Sequence, residues 1–186
     1  QPALRLGFQM VRGLPVEAAE TIVAERNRGG AYGSVNDLVQ RCQLRPAVLS
    51  LLADADVLSD LVGDRRAAIW MSLGQDENPG SSPLFAEIED DEEIPDQLIA
   101  MSPSEETHAD YQTVGLSLKA HPISFFRDDL QEQRVVTAVD LIQLRDGRHV
   151  RVAGLVLLRQ RPSTAKGIYF VTLEDETGTV NLVVFP

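Results

Sequence analysis

The sequence has only one cysteine, Cys42, so no internal disulfide can form. That usage fits a reducing cytoplasm, the expected location. Cys42 falls on the apolar face of a predicted helix and reads as core packing. Long apolar runs are missing too. One of the longest, 180–185, is already broken by Asn181 and falls far short of the roughly 20 residues a membrane span needs. No membrane partner is expected. The three histidines, His108, His121 and His149, lie far apart and lack companions at metal-ligand spacing. No Gly-x-Ser-x-Gly elbow, phosphate-binding loop or dinucleotide fingerprint occurs. No catalytic and no metal-binding residue is therefore assigned to this chain. The N-terminus lacks both a start Met and a signal-peptide apolar stretch, and reads as a cut edge.

Basic residues are absent from one stretch. Residues 75–112 contain twelve acids and no Lys or Arg, whereas residues 1–74 are net zero and residues 113–186 net +1. The overall charge of −11 thus belongs to the middle. Either flank remains able to present local basic surface to a polyanion. The acids at 87–96 are a solvated charge run rather than a catalytic pair. Residues 75–101, rich in turn formers and acids, read as a linker with an apolar island at Leu84-Phe85.

The first 74 residues carry helical periodicity. Val16, Ala19, Ile22 and Val23 recur at helical spacing after Pro15, and Gly29-Gly30 stops them. Ser34 and Asp37 suggest a cap ahead of Val35, Leu38, Val39 and Cys42, which share one face. Pro46 opens a third helix with Leu49, Leu52 and Ala53 inward, and Asp64 caps a fourth. Ser102-Pro103-Ser104-Glu105 is a capping box for a helix in a connector over 102–147, with further helices expected at 123–133 and 138–144. From His149 the period becomes two: a strand over 150–158, a loop over 161–167, a strand over 168–174, an Asp-Glu-Thr-Gly turn, and a strand over 179–185.

Two motifs point towards nucleic acid. In Val11-Arg12-Gly13-Leu14-Pro15, an apolar residue, one free position, Gly and another apolar residue stand between helices, as in a helix-hairpin-helix turn. Gly permits positive φ and lets backbone N–H groups approach a phosphate, with Arg12 adding charge. The bland alternative is an ordinary turn between two helices. A second turn, Ala53-Asp54-Ala55-Asp56, has Asp56 where a hairpin Gly is expected. Its carboxylate would repel phosphate, so that turn is read as structural. The β region fits the first half of an OB-fold, which binds single strands through basic and aromatic groups. Arg159, Arg161, Lys166 and Tyr169 are its candidates, with Tyr169 rather than Phe170 on the surface. Here the alternative is a solvated loop with two core aromatics.

Over essentially its whole length the chain resembles the C-family bacterial DNA polymerases, relatives of the alpha subunit of DNA polymerase III. The resemblance rests on Leu4-Arg5-Leu6-Gly7-Phe8, Val11-Arg12-Gly13-Leu14 and Gly30-Ala31-Tyr32-Gly33-Ser34, similar to the end of the fingers. Residues 114–122, Val-Gly-Leu-Ser-Leu-Lys-Ala-His-Pro, look like the approach to the OB domain. Residues 152–156, 172–178 and 183–186 resemble OB strands. Arg159-Gln160-Arg161-Pro162, the following Thr164-Ala165-Lys166-Gly167 and the 53–56 turn lean to the error-prone branch.

The resemblance implies an α+β fragment: a tandem helix-hairpin-helix domain (1–74), the acidic linker (75–101), a helical connector (102–147) and a truncated OB-fold (148–186). Its implied work is to hold duplex at the hairpins and single-stranded template at the OB module. The parent would use Mg²⁺ on carboxylates outside this chain. A sliding-clamp peptide is implied between hairpin domain and connector, where Ser81-Ser82-Pro83-Leu84-Phe85 offers Leu84 and Phe85, with Ser81 in place of the expected Gln. The rivals are a replicative alpha-subunit fragment, a stand-alone accessory DNA-binding protein, a synthetase anticodon module and a scaffold that binds no nucleic acid. Three strands cannot close a barrel, so the OB part is expected to be marginal alone.

Overall fold

The computed structural model describes residues 6–74, 98–165 and 167–186. The described residues form an α+β molecule dividing into two compact units, Gln1–Ser117 and Leu118–Pro186. Among them, no helix is long and apolar enough to cross a membrane.

In the first unit a short 3-10 turn, Phe8–Met10, leads into the first hairpin. Helix α1 (Val16–Gly29) follows Pro15, which supplies its N-cap, and Gly30 ends it at φ 82°, a conformation open to glycine. The Asp37 N–H donates to Ser34 Oγ at 3.0 Å, opening α2 (Val35–Cys42) as the spacing predicts. Helix α3 (Pro46–Asp54) begins at Pro46. A single turn, α4 (Ser59–Val62), which periodicity did not reveal, precedes α5 (Arg65–Gly74). Asp64 Oδ1 caps α5 by accepting the Ala67 N–H at 2.9 Å.

The inward residues of α2 and α3 merge with Ile22, Leu44, Leu58 and Ala68 into one core. Cys42 is buried in it. The Tyr32 hydroxyl donates to the Ile22 carbonyl at 2.6 Å, leaving the Cys42 thiol to donate to the tyrosine oxygen at 3.2 Å. Burial pushes the Tyr32 pKa up to about 12.

Helix α6 (Pro103–Thr113) starts with the predicted capping box: the Ser102 N–H donates to Glu105 Oε2 at 2.8 Å and the Glu105 N–H returns to Ser102 Oγ at 3.3 Å. It belongs to the first unit, so the connector expected over 102–147 is divided between the two. The reason is Arg65 of α5. Its buried guanidinium pairs with Asp110 and, at 3.0 Å, with Glu106, both on α6. Accordingly, the described residues on either side of the segment expected to link two domains belong to the same unit.

In the second unit the helix expected over 123–133 is a 3-10 turn, Pro122–Phe126, then α7 (Arg127–Glu132). His121 Nδ1 caps the turn, accepting the Ile123 N–H at 3.2 Å. Strand β1 (Val135–Val136) precedes α8 (Ala138–Leu141), which stops three residues short of the expected end. The strand expected over 150–158 is broken. Strand β2 (Arg151–Val152) pairs parallel with β1, and only β3 (Leu155–Gln160) joins the main sheet. The break falls at Gly154, where a Cβ would lie 2.6 Å from the Glu174 carbonyl oxygen. Such an approach excludes every other residue.

Strands β3, β4 (Tyr169–Asp175) and β5 (Gly178–Val184) form an antiparallel sheet in that order, open on both sides among the described residues. Val171 faces both Arg159 and Leu182, while Leu157 bulges out of register. At the β4–β5 turn, buried Asp175 accepts from the Ala138, Thr177 and Gly178 N–H groups and the Thr177 hydroxyl, at 2.7 to 3.1 Å. Burial alone would raise its pKa, but these donors outweigh it and hold the carboxyl below its usual value. Arg127 Nη2 donates to Glu176 Oε2 at 2.9 Å and fastens the same turn to α7.

Candidate nucleic-acid interface

The first hairpin turn is built by Val11 and Leu14, whose side chains are not available to a ligand. Val11 is buried, and Leu14 packs on the core. Arg12 and Gly13 are the exposed pair. Gly13 adopts φ 77°, the positive value the motif requires. Its N–H meets no acceptor among the described residues, whereas the Arg12 N–H donates to the Thr113 carbonyl at 2.9 Å. Arg12 Nη1 donates to the Gln112 carbonyl at 3.0 Å. The cation thus rests on the C-terminal end of α6, where carbonyl dipoles favour it. One donor of five is used, so the exposed guanidinium keeps charge and hydrogen-bonding capacity. Glu17 in the first turn of α1 opposes a phosphate at the same end.

The second turn is closed by its own backbone. Asp56 takes φ 60°, the conformation of a hairpin glycine. The Val57 N–H reaches the Leu52 carbonyl and the Asp56 N–H the Ala53 carbonyl, each at 3.0 Å, closing α3 as a Schellman motif. The Asp56 carboxylate stands 3.7 Å from Arg65 Nη2. With Glu106 and Asp110 it forms a group of three acids close enough to share a cation. Magnesium does not fit there, because the Arg65 guanidinium already lies against all three carboxylates. The buried arginine was not anticipated from sequence. Spacing gives no clue to a pairing across the acidic segment.

On the sheet, register places Arg159, Arg161 and Tyr169 on one face. The guanidinium carbons of Arg159 and Arg161 lie 4.9 and 5.2 Å from the Tyr169 ring centroid, a pair of cation–π contacts. Tyr169 is therefore half-buried beneath its arginines, and Phe170 on the opposite face is the more exposed aromatic, at 41%. This reverses the expected choice between the two. The arrangement presents a cationic, π-faced strip. Lys166, Leu84 and Phe85 lie outside the described residues. The hairpin pair and the sheet cluster sit in different units.

Comparison with known sequences matches the helix-hairpin-helix motif to residues 1–68. The error-prone DNA polymerase of Rhodopirellula baltica is 56% identical over 184 residues, covering 99% of this chain and 16% of that polymerase. The error-prone DNA polymerase of Anaeromyxobacter sp. strain K is 47% identical, covering 98% of the chain and 16% of its own length. That of Ralstonia nicotianae is 44% identical, covering 100% and 17%. This chain spans about one sixth of the length of these relatives, and from first hairpin to last strand it matches one continuous segment of error-prone DNA polymerases.

Proposed function

We propose that this chain is a DNA-positioning segment of an error-prone DNA-directed DNA polymerase, holding duplex at the first hairpin and single-stranded template at the β3–β4 face. The observation that carries it is the exposed Arg12–Gly13 step, with its positive φ and unused amide, inside the region matched by the helix-hairpin-helix motif. Backbone N–H groups and a nearby guanidinium recognise phosphate without reading base sequence, which suits a polymerase that must slide. The Arg159–Tyr169–Arg161 cluster favours a single strand, since a ring and two planar cations offer stacking and charge together. The parent would act in damage-induced, translesion synthesis in the cytoplasm, with Mg²⁺ held by carboxylates that are not among these residues. A sliding clamp remains part of the proposal through Leu84 and Phe85.

Fluorescence anisotropy with a primer–template and with a single strand, each at two salt concentrations, tests this reading. Arg12→Ala should weaken duplex binding and lower its salt slope by about 0.9, one phosphate contact. Arg159→Ala/Arg161→Ala should weaken single-strand binding instead. Glu17→Gln, which removes a charge beside the turn, should strengthen duplex binding. A folded chain showing no salt-dependent binding to either DNA would sink the proposal.

A further inference from the structure

Three of the second unit's arginines that lie outside its ion-pair network gather in one place. Arg134, Arg148 and Arg151 line an open concavity of about 710 Å³ together with His149, Glu132, Gln133, Val136 and Val150. Glu132 is the one acid in that lining. Other arginines, by contrast, are held by carboxylates: Arg41 by Asp37, Arg65 by three acids, Arg127 by Asp175 and Glu176. Among the described residues, neither Arg134, Arg148 nor Arg151 has a carboxylate within ion-pairing distance. Arg151 Nη1 makes a single long hydrogen bond, 3.3 Å, to the Gln133 carbonyl.

The concavity is set by backbone structure. Its two walls, residues 132–136 and 148–151, are joined by the parallel pairing of β1 and β2, in which Val135 stands opposite Arg151. Arg134 sits just after α7 at φ 60°. There glycine or asparagine would serve the backbone better, and a long cationic side chain costs about 1 kcal/mol or more. A left-handed arginine beside two further unpaired arginines concentrates positive charge in a chain whose net charge is −11. The planar forks of arginine match phosphate oxygens in pairs.

We propose that this concavity is a second phosphate site of the β unit, taking phosphodiester groups of a DNA strand through Arg134, Arg148 and Arg151. It rests on the DNA-positioning reading but uses none of the residues on which that reading was built. Its size suits one or two nucleotides of backbone better than a smooth surface would.

The test is single-strand binding by the full 186-residue chain, against an Arg134→Gly/Arg148→Ala variant. Arg134→Gly removes the cation while relieving the left-handed backbone, so melting should match or exceed wild type. The expected result is weaker binding and a salt slope lower by about 1.4, two contacts at about 0.7 each. Arg148→Lys, which keeps the charge but loses the fork, should keep the wild-type salt slope and lose only part of the affinity. ¹⁵N-resolved shifts should move at 132–136 and 148–151 when DNA is added. Unchanged affinity and slope in the double variant, with wild type still binding, would overturn this site and leave the hairpin and sheet reading intact. No binding by wild type would overturn both together. Equal loss in Arg148→Lys would identify a packing defect and also overturn the site.

Discussion

Arg65 of α5 and Asp110 of α6, 45 residues apart, meet as a buried ion pair that joins the two sides of the acidic segment. Glu106 adds a second carboxylate, and its backbone carbonyl accepts from Arg65 Nη1 at 2.9 Å. Removing the arginine would take the buried Asp110 carboxylate's cation away, a loss of about 3–5 kcal/mol. Arg65→Met should lower stability by that order in urea denaturation. Arg65→Lys should not restore it, because an ammonium cannot reproduce the fork. An unchanged midpoint in Arg65→Met would contradict the structural role given to this residue.

Tyr32 makes the first unit sensitive to alkali. Its pKa rises from 10 to about 12 on folding, so its contribution is fully present below pH 10 and is lost as pH climbs through 12. Ultraviolet titration of tyrosinate should show one residue ionising late. Tyr32→Phe should remove that component and cost about 1 kcal/mol at neutral pH, through the lost bond to Ile22. Ionisation of all three tyrosines near pH 10 would contradict it.

Gly154→Ala should weaken the second unit without affecting the core of the first. A methyl 2.6 Å from the Glu174 carbonyl forces β3 and β4 apart, and overpacking of this kind costs about 1–3 kcal/mol. Amide exchange should accelerate across β3 to β5 and stay unchanged in α2 and α3. Uniform change in both units, or none, would refute the account.

Local chemistry was legible and long-range chemistry was not. Ser34, Ser102 and Asp64 announced their helices because capping acts over three residues. Gly13 announced its turn because positive φ selects for it. The three strands of the sheet followed from period two, whereas the switch of strand partner at Gly154 did not, since alternation continues through it. Arg65 looked like any other helical arginine, and its partners lie beyond the acidic stretch. Tyr169 is less exposed than Phe170 because arginines two strand positions apart fold back over its ring, a contact that spacing alone does not show. Arg134, Arg148 and Arg151 passed unnoticed because a parallel two-residue pairing, absent from any local pattern, brings them together.

Because α5 and α6 are locked together through Arg65, while Arg66 Nη1 donates to the Ile99 carbonyl at 2.7 Å, both ends of the acidic segment are pinned to one body. A protease cutting within 75–97 would nick the chain without releasing a domain, and both products would travel as one particle until denatured. What composition presents as a tether between two bodies therefore starts and finishes on the same one.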